Sequence, residues 1–136
     1  MNDEKRFRFT KEERVTGKRR IETLFIQGCS FTAYPFRVVY LERLRCQMIP
    51  TSILITVPKK RVRSAAHRNR MKRLTREAYR LNKHLLNPLP LREDRGIDVA
   101  FIYVKEGTTD YATVEKGMRK ALVTLVAQLN NGKEIC

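Results

Sequence analysis

The sequence predicts one domain of helices and strands in which three helices pack on a small sheet, in the order α-β-β-α-β-α with room for a further short strand before the second helix. Three observations lead there. Segments 64–86 and 111–129 place apolar residues at helical spacing. Segments 36–41, 53–57 and 97–104 are short runs rich in β-branched and aromatic residues. The chain has 136 residues, 42% hydrophobic and 32% charged, which suffices for one packed core but not two. No internal repeat and no linker composition divides it. Residues 1–136 are therefore read as one domain, with a charged, aperiodic arm at 1–9 and a short tail at 130–136.

The elements follow in order. A first helix is expected over 16–27, where Ile21, Leu24 and Phe25 fall at i, i+3, i+4 and Gly28 supplies a stop. A short strand near 30–33 precedes Pro35. Phe36–Leu41 and Ile53–Val57 read as strands joined through 43–50, and Pro58 closes the second. Ser64 is suited to cap the next helix, whose stripe of Met71, Leu74, Ala78, Leu81 and Leu85 runs to the Asn87-Pro88 stop. After a polar loop at 92–96, Ile97–Val104 is a further strand and Gly107 marks a turn. Asp110 caps the last helix, which buries Val114, Met118, Ala121, Leu122, Leu125, Val126 and Leu129 and ends at Asn130-Asn131-Gly132.

Charge narrows the function. Twenty-nine Lys and Arg against 14 Asp and Glu leave +15, well beyond the 2–8 or so that solubility asks of a small domain. Self-repulsion on that scale points to a polyanionic partner, nucleic acid before an anionic membrane. No apolar run approaches the roughly 20 residues that span a bilayer. Asn2–Arg6 is charged and no apolar segment follows it, so no signal peptide is expected and the expected compartment is the cytoplasm. Cys29, Cys46 and Cys136 are widely spaced, His67 and His84 stand alone, and none has metal-ligand spacing; free thiols are expected.

The charge is concentrated. Between Lys59 and Lys83 eleven cations face one anion, Glu77, so this stretch carries +10 of the +15. On a helical projection Arg68, Asn69, Lys72, Arg76, Arg80 and Lys83 lie opposite the apolar stripe, with Arg70 on the flank. A solvated helix face ordinarily alternates Glu with Lys, whereas like charges at i, i+4 oppose the helix. A row of Arg without partners therefore reads as a phosphate-binding surface, since the planar guanidinium suits bidentate phosphate contact.

The Lys59-Lys60 pair ending a strand, followed on the next helix by Arg68-Asn69-Arg70-x-Lys72-Arg73-x-x-Arg76, resembles the signature of the bacterial ribonuclease P protein family. The basic arm, a first helix ending in Gly28, and Asp98 opening the late strand resemble the same family, so the likeness spans nearly the whole chain. It implies an α+β fold, an α/β sandwich in which a small mixed sheet carries three helices in the order α-β-β-β-α-β-α, with a left-handed β-α-β crossover against the usual right-handed rule. It also implies a protein without its own active site, an accessory subunit that binds a catalytic RNA and the 5′ leader of precursor tRNA. In that picture the RNA carries out the cleavage with Mg2+ that it mainly holds itself. No organic cofactor, membrane or obligate protein partner is implied.

The resemblance assigns Lys59, Lys60, Arg68, Asn69, Arg70, Lys72, Arg73 and Arg76 to RNA, and the charge of the same stretch adds Arg61 and Arg80. It assigns Ile21, Phe25, Arg37 and Tyr40 to the leader. For Phe25 and Tyr40 two readings stay open, stacking on unpaired bases or packing in the core. A one-residue shift of register would turn Val39 toward the leader instead. The chain departs from the family pattern at Ile21, where an aromatic is usual, and at Leu54 and Pro58.

Three rival classes fit less well. A ribosomal or other structural RNA-binding protein shares the size and charge without needing this spacing. A metal-dependent nuclease needs converging carboxylates, and Glu93, Asp94 and Asp98 are the nearest set. A helix-turn-helix reader needs a helix, not a strand and Pro58, before its recognition helix.

Overall fold

The structure, a computed structural model, describes residues 14–44, 51–87 and 95–130. The arm at 1–9 and all but the first residue of the tail lie outside these residues, as do Glu93 and Asp94. Helix α1 spans Lys18–Gln27, strands β1 Cys29–Ala33, β2 Phe36–Leu44 and β3 Thr51–Thr56. Helix α2 spans Ala65–Asn82 and continues into a 3-10 turn at Lys83–Leu86. Strand β4 is Arg95–Tyr103 and helix α3 Tyr111–Asn130. Ser64 caps α2 by accepting from the His67 amide, and Asp110 caps α3 by accepting from the Thr113 amide.

The sheet order is β1-β2-β4-β3, antiparallel except for the β3–β4 pair. β3 and β4 are therefore parallel neighbours joined across α2. Ahead of α1, the Val15 amide donates to the Ile53 carbonyl at 2.8 Å, extending the sheet beyond β3 and covering that edge.

Strand alternation divides the side chains between two layers. Phe36, Val38, Tyr40, Ile53, Ile97, Val99, Phe101 and Tyr103 pack with Met71, Ala78 and Tyr79 of α2 and with Val114, Met118, Ala121, Leu122 and Leu125 of α3. Phe36 meets Phe101 and Tyr103 edge-on within this layer. Among the described residues the opposite face is covered by α1, through Leu24 on Val39 and Ala100.

Two glycines set how closely the layers approach. A Cβ at Gly28 would collide with the Leu24 carbonyl and would stand 2.8 Å from Val39 Cγ1 and 2.9 Å from the Tyr40 carbonyl. Gly28 itself is extended (φ −74°), so the glycine is needed for close approach to β2 and not for a left-handed turn. At Gly117 a Cβ would meet Tyr34 O and Pro35 Cδ at 2.5 Å, which lets α3 press onto the β1–β2 turn. The Tyr34–Pro35 peptide bond in that turn is cis.

Three expectations are corrected. Tyr40, assigned to the leader with core packing left open, packs in the main core: it is 4% exposed, its ring meets Phe31, and its hydroxyl donates to Gln128 at 2.6 Å. Val39 takes the α1 side, as the alternative register has it. The buried side of α2 is centred on Met71, Thr75, Ala78, Tyr79 and Asn82, with Leu74 and Leu81 only partly covered. That rotates the helix by about 60° from the expected stripe at 100° per residue. Thr75 and Asn82 tolerate burial because each donates to a carbonyl one turn back, Met71 O at 2.7 Å and Ala78 O at 2.8 Å. Finally, Cys29 is disulfide-bonded and not a free thiol, and the other two cysteines lie outside the described residues.

Candidate nucleic-acid interface

Between β3 and α2 the chain makes a tight turn in which Arg61 and Val62 amides donate to the Pro58 carbonyl at 3.0 and 3.1 Å. The turn lifts Lys59 and Lys60 into solvent. It is braced from two sides. The Gly107 amide donates to the Arg61 carbonyl at 2.8 Å, Tyr103 hydroxyl donates to the Gly107 carbonyl at 2.7 Å, and Arg61 pairs with Glu106 at 2.5 Å. Burial drives the Tyr103 phenol up to about 12, so it stays a donor across the physiological range. On the other side Arg68 reaches back from α2 to the Val62 and Arg63 carbonyls at 3.0 and 2.7 Å.

The rotation of α2 redistributes the predicted cations. Asn69, Arg70, Arg73 and Arg76 are exposed, and Lys72 is half-buried. Arg70 thus faces solvent and not the flank of the core, while Arg68 is half-buried and stitches the turn to the helix. Lys59, Lys60, Arg63, Arg70, Lys72, Arg73 and Arg76 form no ion pair with any described residue. Arg80 differs: it is forked onto Glu77 at 2.5 and 3.2 Å. That contact holds the Glu77 carboxyl below its ordinary range.

The second surface lies across the sheet. Strand register sets three rows on the α1 face: Thr32–Arg37–Ile102–Thr56, Ser30–Val39–Ala100–Leu54 and Leu41–Asp98–Ser52. Helix α1 covers the second row through Leu24 and the third through Arg20. The first row is left open, with Thr32 and Arg37 exposed and Ile102 and Thr56 half-buried. Lys59 and Lys60 follow shortly after its end at Thr56, so the open row runs into the basic turn. Phe25 is 42% exposed on α1, Ile21 is half-buried, and Leu24 alone supplies the helix's buried anchor.

The third row holds a residue whose role the sequence pattern does not reveal. Asp98 is 3% exposed, yet it accepts from Arg20 Nε at 2.8 Å, Arg20 Nη2 at 2.6 Å and Arg43 Nε at 2.6 Å. Arg43 Nη2 also donates to Ser52 at 3.1 Å. An acid inside an otherwise apolar strand run is the one local signal, because a buried carboxylate needs a cation. Among the described residues no three His, Cys, Asp or Glu side chains come together as metal ligands. Asp98 itself is turned onto two guanidinium groups.

Fold and site together define an RNA-binding α+β protein, with a row of arginines on one helix that pair with no described carboxylate and a half-open sheet face beside it. A sequence model of the family described as Ribonuclease P matches residues 9–126. The ribonuclease P protein component of Porphyromonas gingivalis is 42% identical over 123 residues, covering 90% of each chain. That of Chlorobaculum tepidum is 36% identical over 98 residues, 67% of this chain and 64% of its own. Among solved structures, the Thermotoga maritima RNase P protein aligns with a TM-score of 0.63 at 26% identity, covering 82% of this chain and 96% of its own. The Staphylococcus aureus protein gives the same TM-score at 18% identity over 86% and 96%, a likeness of fold. The chain belongs to the ribonuclease P protein family. It serves tRNA 5′-leader processing as the accessory protein subunit of a ribonucleoprotein endoribonuclease, alongside the RNA subunit.

Proposed function

We propose that the single RNA-binding domain divides its two partners between these surfaces. Lys59, Lys60, Asn69, Arg70, Lys72, Arg73 and Arg76 meet phosphates of the catalytic RNA. Arg61, Arg68 and Arg80, all held by groups of the protein, border that contact. The open row with Arg37, together with Ile21 and Phe25 of α1, receives the single-stranded leader of precursor tRNA. Phe25 stacks on an unpaired base, a contact worth about 1–3 kcal/mol. The observation that carries the reading is the row of exposed cations on α2 that pair with no described carboxylate. Exposed guanidinium groups with no carboxylate to satisfy them are matched by phosphate.

Magnesium in this reading is held mainly by RNA. The buried carboxylate beside the α1 face, Asp98, has its oxygens on Arg20 and Arg43. The protein instead supplies positive charge that lowers the repulsion between catalytic RNA and substrate. No described helix is long and apolar enough to cross a membrane, and the reading places the protein in the cytoplasm with its RNA partners.

The test is cleavage of a precursor tRNA at low magnesium by this chain alone, by a bacterial ribonuclease P RNA alone, and by both. Cleavage to a mature 5′ end only with both is the expected result. A mixture no faster than RNA alone sinks the assignment and leaves a structural RNA-binding protein.

A further inference from the structure

We infer that Asp98 is a positioning residue for leader recognition: it fixes the wall of the cleft without touching RNA. The inference rests on the proposed leader site.

Helix α1 has ten residues, one of them fully buried, and no side-chain cap at Gly17. A helix this short has little stability of its own in water, so tertiary contacts set its pose. Among the described residues three contacts stand out. Leu24 seats on Val39 and Ala100, Gly28 abuts β2, and Arg20 forks onto Asp98 with both oxygens engaged. Arg20 lies one helical turn before Leu24 and next to Ile21. The Asp98 fork therefore sets how the first half of α1 sits over the sheet.

Asp98 is itself held rigidly. Its Oδ1 also accepts from Arg43 of β2, and Arg43 donates onward to Ser52 of β3. One carboxylate thus ties α1 to the three strands that floor the cleft. The planar fork fixes both distance and orientation, which a single point contact does not. Loosening it lets α1 tilt about its Leu24 anchor, moving Ile21 and Phe25 relative to the open row. The basic turn and α2 pack on other elements and keep their place.

The experiment uses holoenzyme reconstituted with a bacterial ribonuclease P RNA. It measures affinity for precursor tRNA carrying leaders of increasing length, relative to mature tRNA, and separately the affinity of the protein for the RNA. Asp98→Asn should lower the leader-dependent preference by about tenfold, equivalent to losing one stacked base. Protein–RNA affinity should stay within about twofold, since the phosphate contacts are elsewhere. Arg20→Lys keeps the charge and the Arg43–Asp98 pair but removes the fork, so it serves if Asp98→Asn does not fold, and should show the same loss. Phe25→Ala is the reference for the cleft. Added to Asp98→Asn, it should cause little further loss, because both act through one wall. Unchanged leader preference in Asp98→Asn or Arg20→Lys, with Phe25→Ala impaired, overturns the inference and spares the leader site. No effect of Phe25→Ala overturns the leader site itself. Equal losses for precursor and mature tRNA would assign Asp98 to general folding and also overturn the inference.

Discussion

Arginine does two opposite jobs in this molecule, and the difference lies in what surrounds it. On the α1 face, Arg20 and Arg43 converge on Asp98, a carboxylate excluded from water. There the guanidinium is structural cement, because a buried acid and its cations are each costly without the other. On α2, Arg70, Arg73 and Arg76 project from the exposed side of a helix whose one acid, Glu77, is taken by Arg80. Repulsion along that row is relieved by no carboxylate among the described residues. Acid placement, more than cation count, separates scaffold from interface.

The largest effect that would sharpen this contrast is on the scaffold side. Arg43→Met removes bonds to Asp98 and Ser52 and leaves the carboxylate with Arg20 as its one described partner. Unfolding in urea should show a loss of about 3 kcal/mol. Once folded, the variant should bind RNA with an unchanged salt dependence. A stability loss below about 0.5 kcal/mol would mean that the buried cluster is no more than a surface ion pair in effect.

Next comes the interface side. Arg73→Glu with Arg76→Glu should leave the urea midpoint where it is, because both side chains are exposed and neither pairs with a described carboxylate. The double variant should weaken affinity for the catalytic RNA by roughly a hundredfold, about 2.7 kcal/mol. The slope of log affinity against log salt should fall by about 2, one for each phosphate left unneutralised. Retained affinity with an unaltered slope would move the RNA elsewhere on the protein.

The same contrast explains what is legible in the sequence. Element order, the Ser64 and Asp110 caps and the basic row are local features, set by neighbours within a turn or two, and each can be read from spacing. The Asp98 cluster joins residues 78 and 55 positions apart, a relation no local pattern carries. Tyr40 is ambiguous for another reason. Val38, Val39, Tyr40 and Leu41 are all apolar, so a period of two cannot say which parity faces the thicker layer. Rotation of α2 is hidden by Thr75 and Asn82, polar residues that satisfy their own hydrogen bonds and so pass into the core. Asn82 is further held by Glu115 and Arg119 of α3, which is tertiary information.

Arg80 sits on the border of the two classes, and Glu77 decides its side. Both partners are substantially exposed, so their pair is worth only a few tenths of a kcal/mol. The hydrogen bond from Arg80 holds the Glu77 carboxyl below its ordinary value of 4.5. A depressed carboxyl stabilises the fold while ionised. That contribution is complete above about pH 4.5 and disappears as the pH falls through the lower folded value. Glu77→Gln should therefore be slightly less stable than the parent at neutral pH, with the gap closing on acidification in paired urea titrations. Its RNA affinity should rise about two- to threefold at low salt, since removing a negative charge from the row relieves repulsion of phosphate. If affinity falls instead, Glu77 is presenting Arg80 to the RNA in a fixed pose. An acid would then be part of the interface, and the rule drawn from Asp98 would hold only where water is excluded.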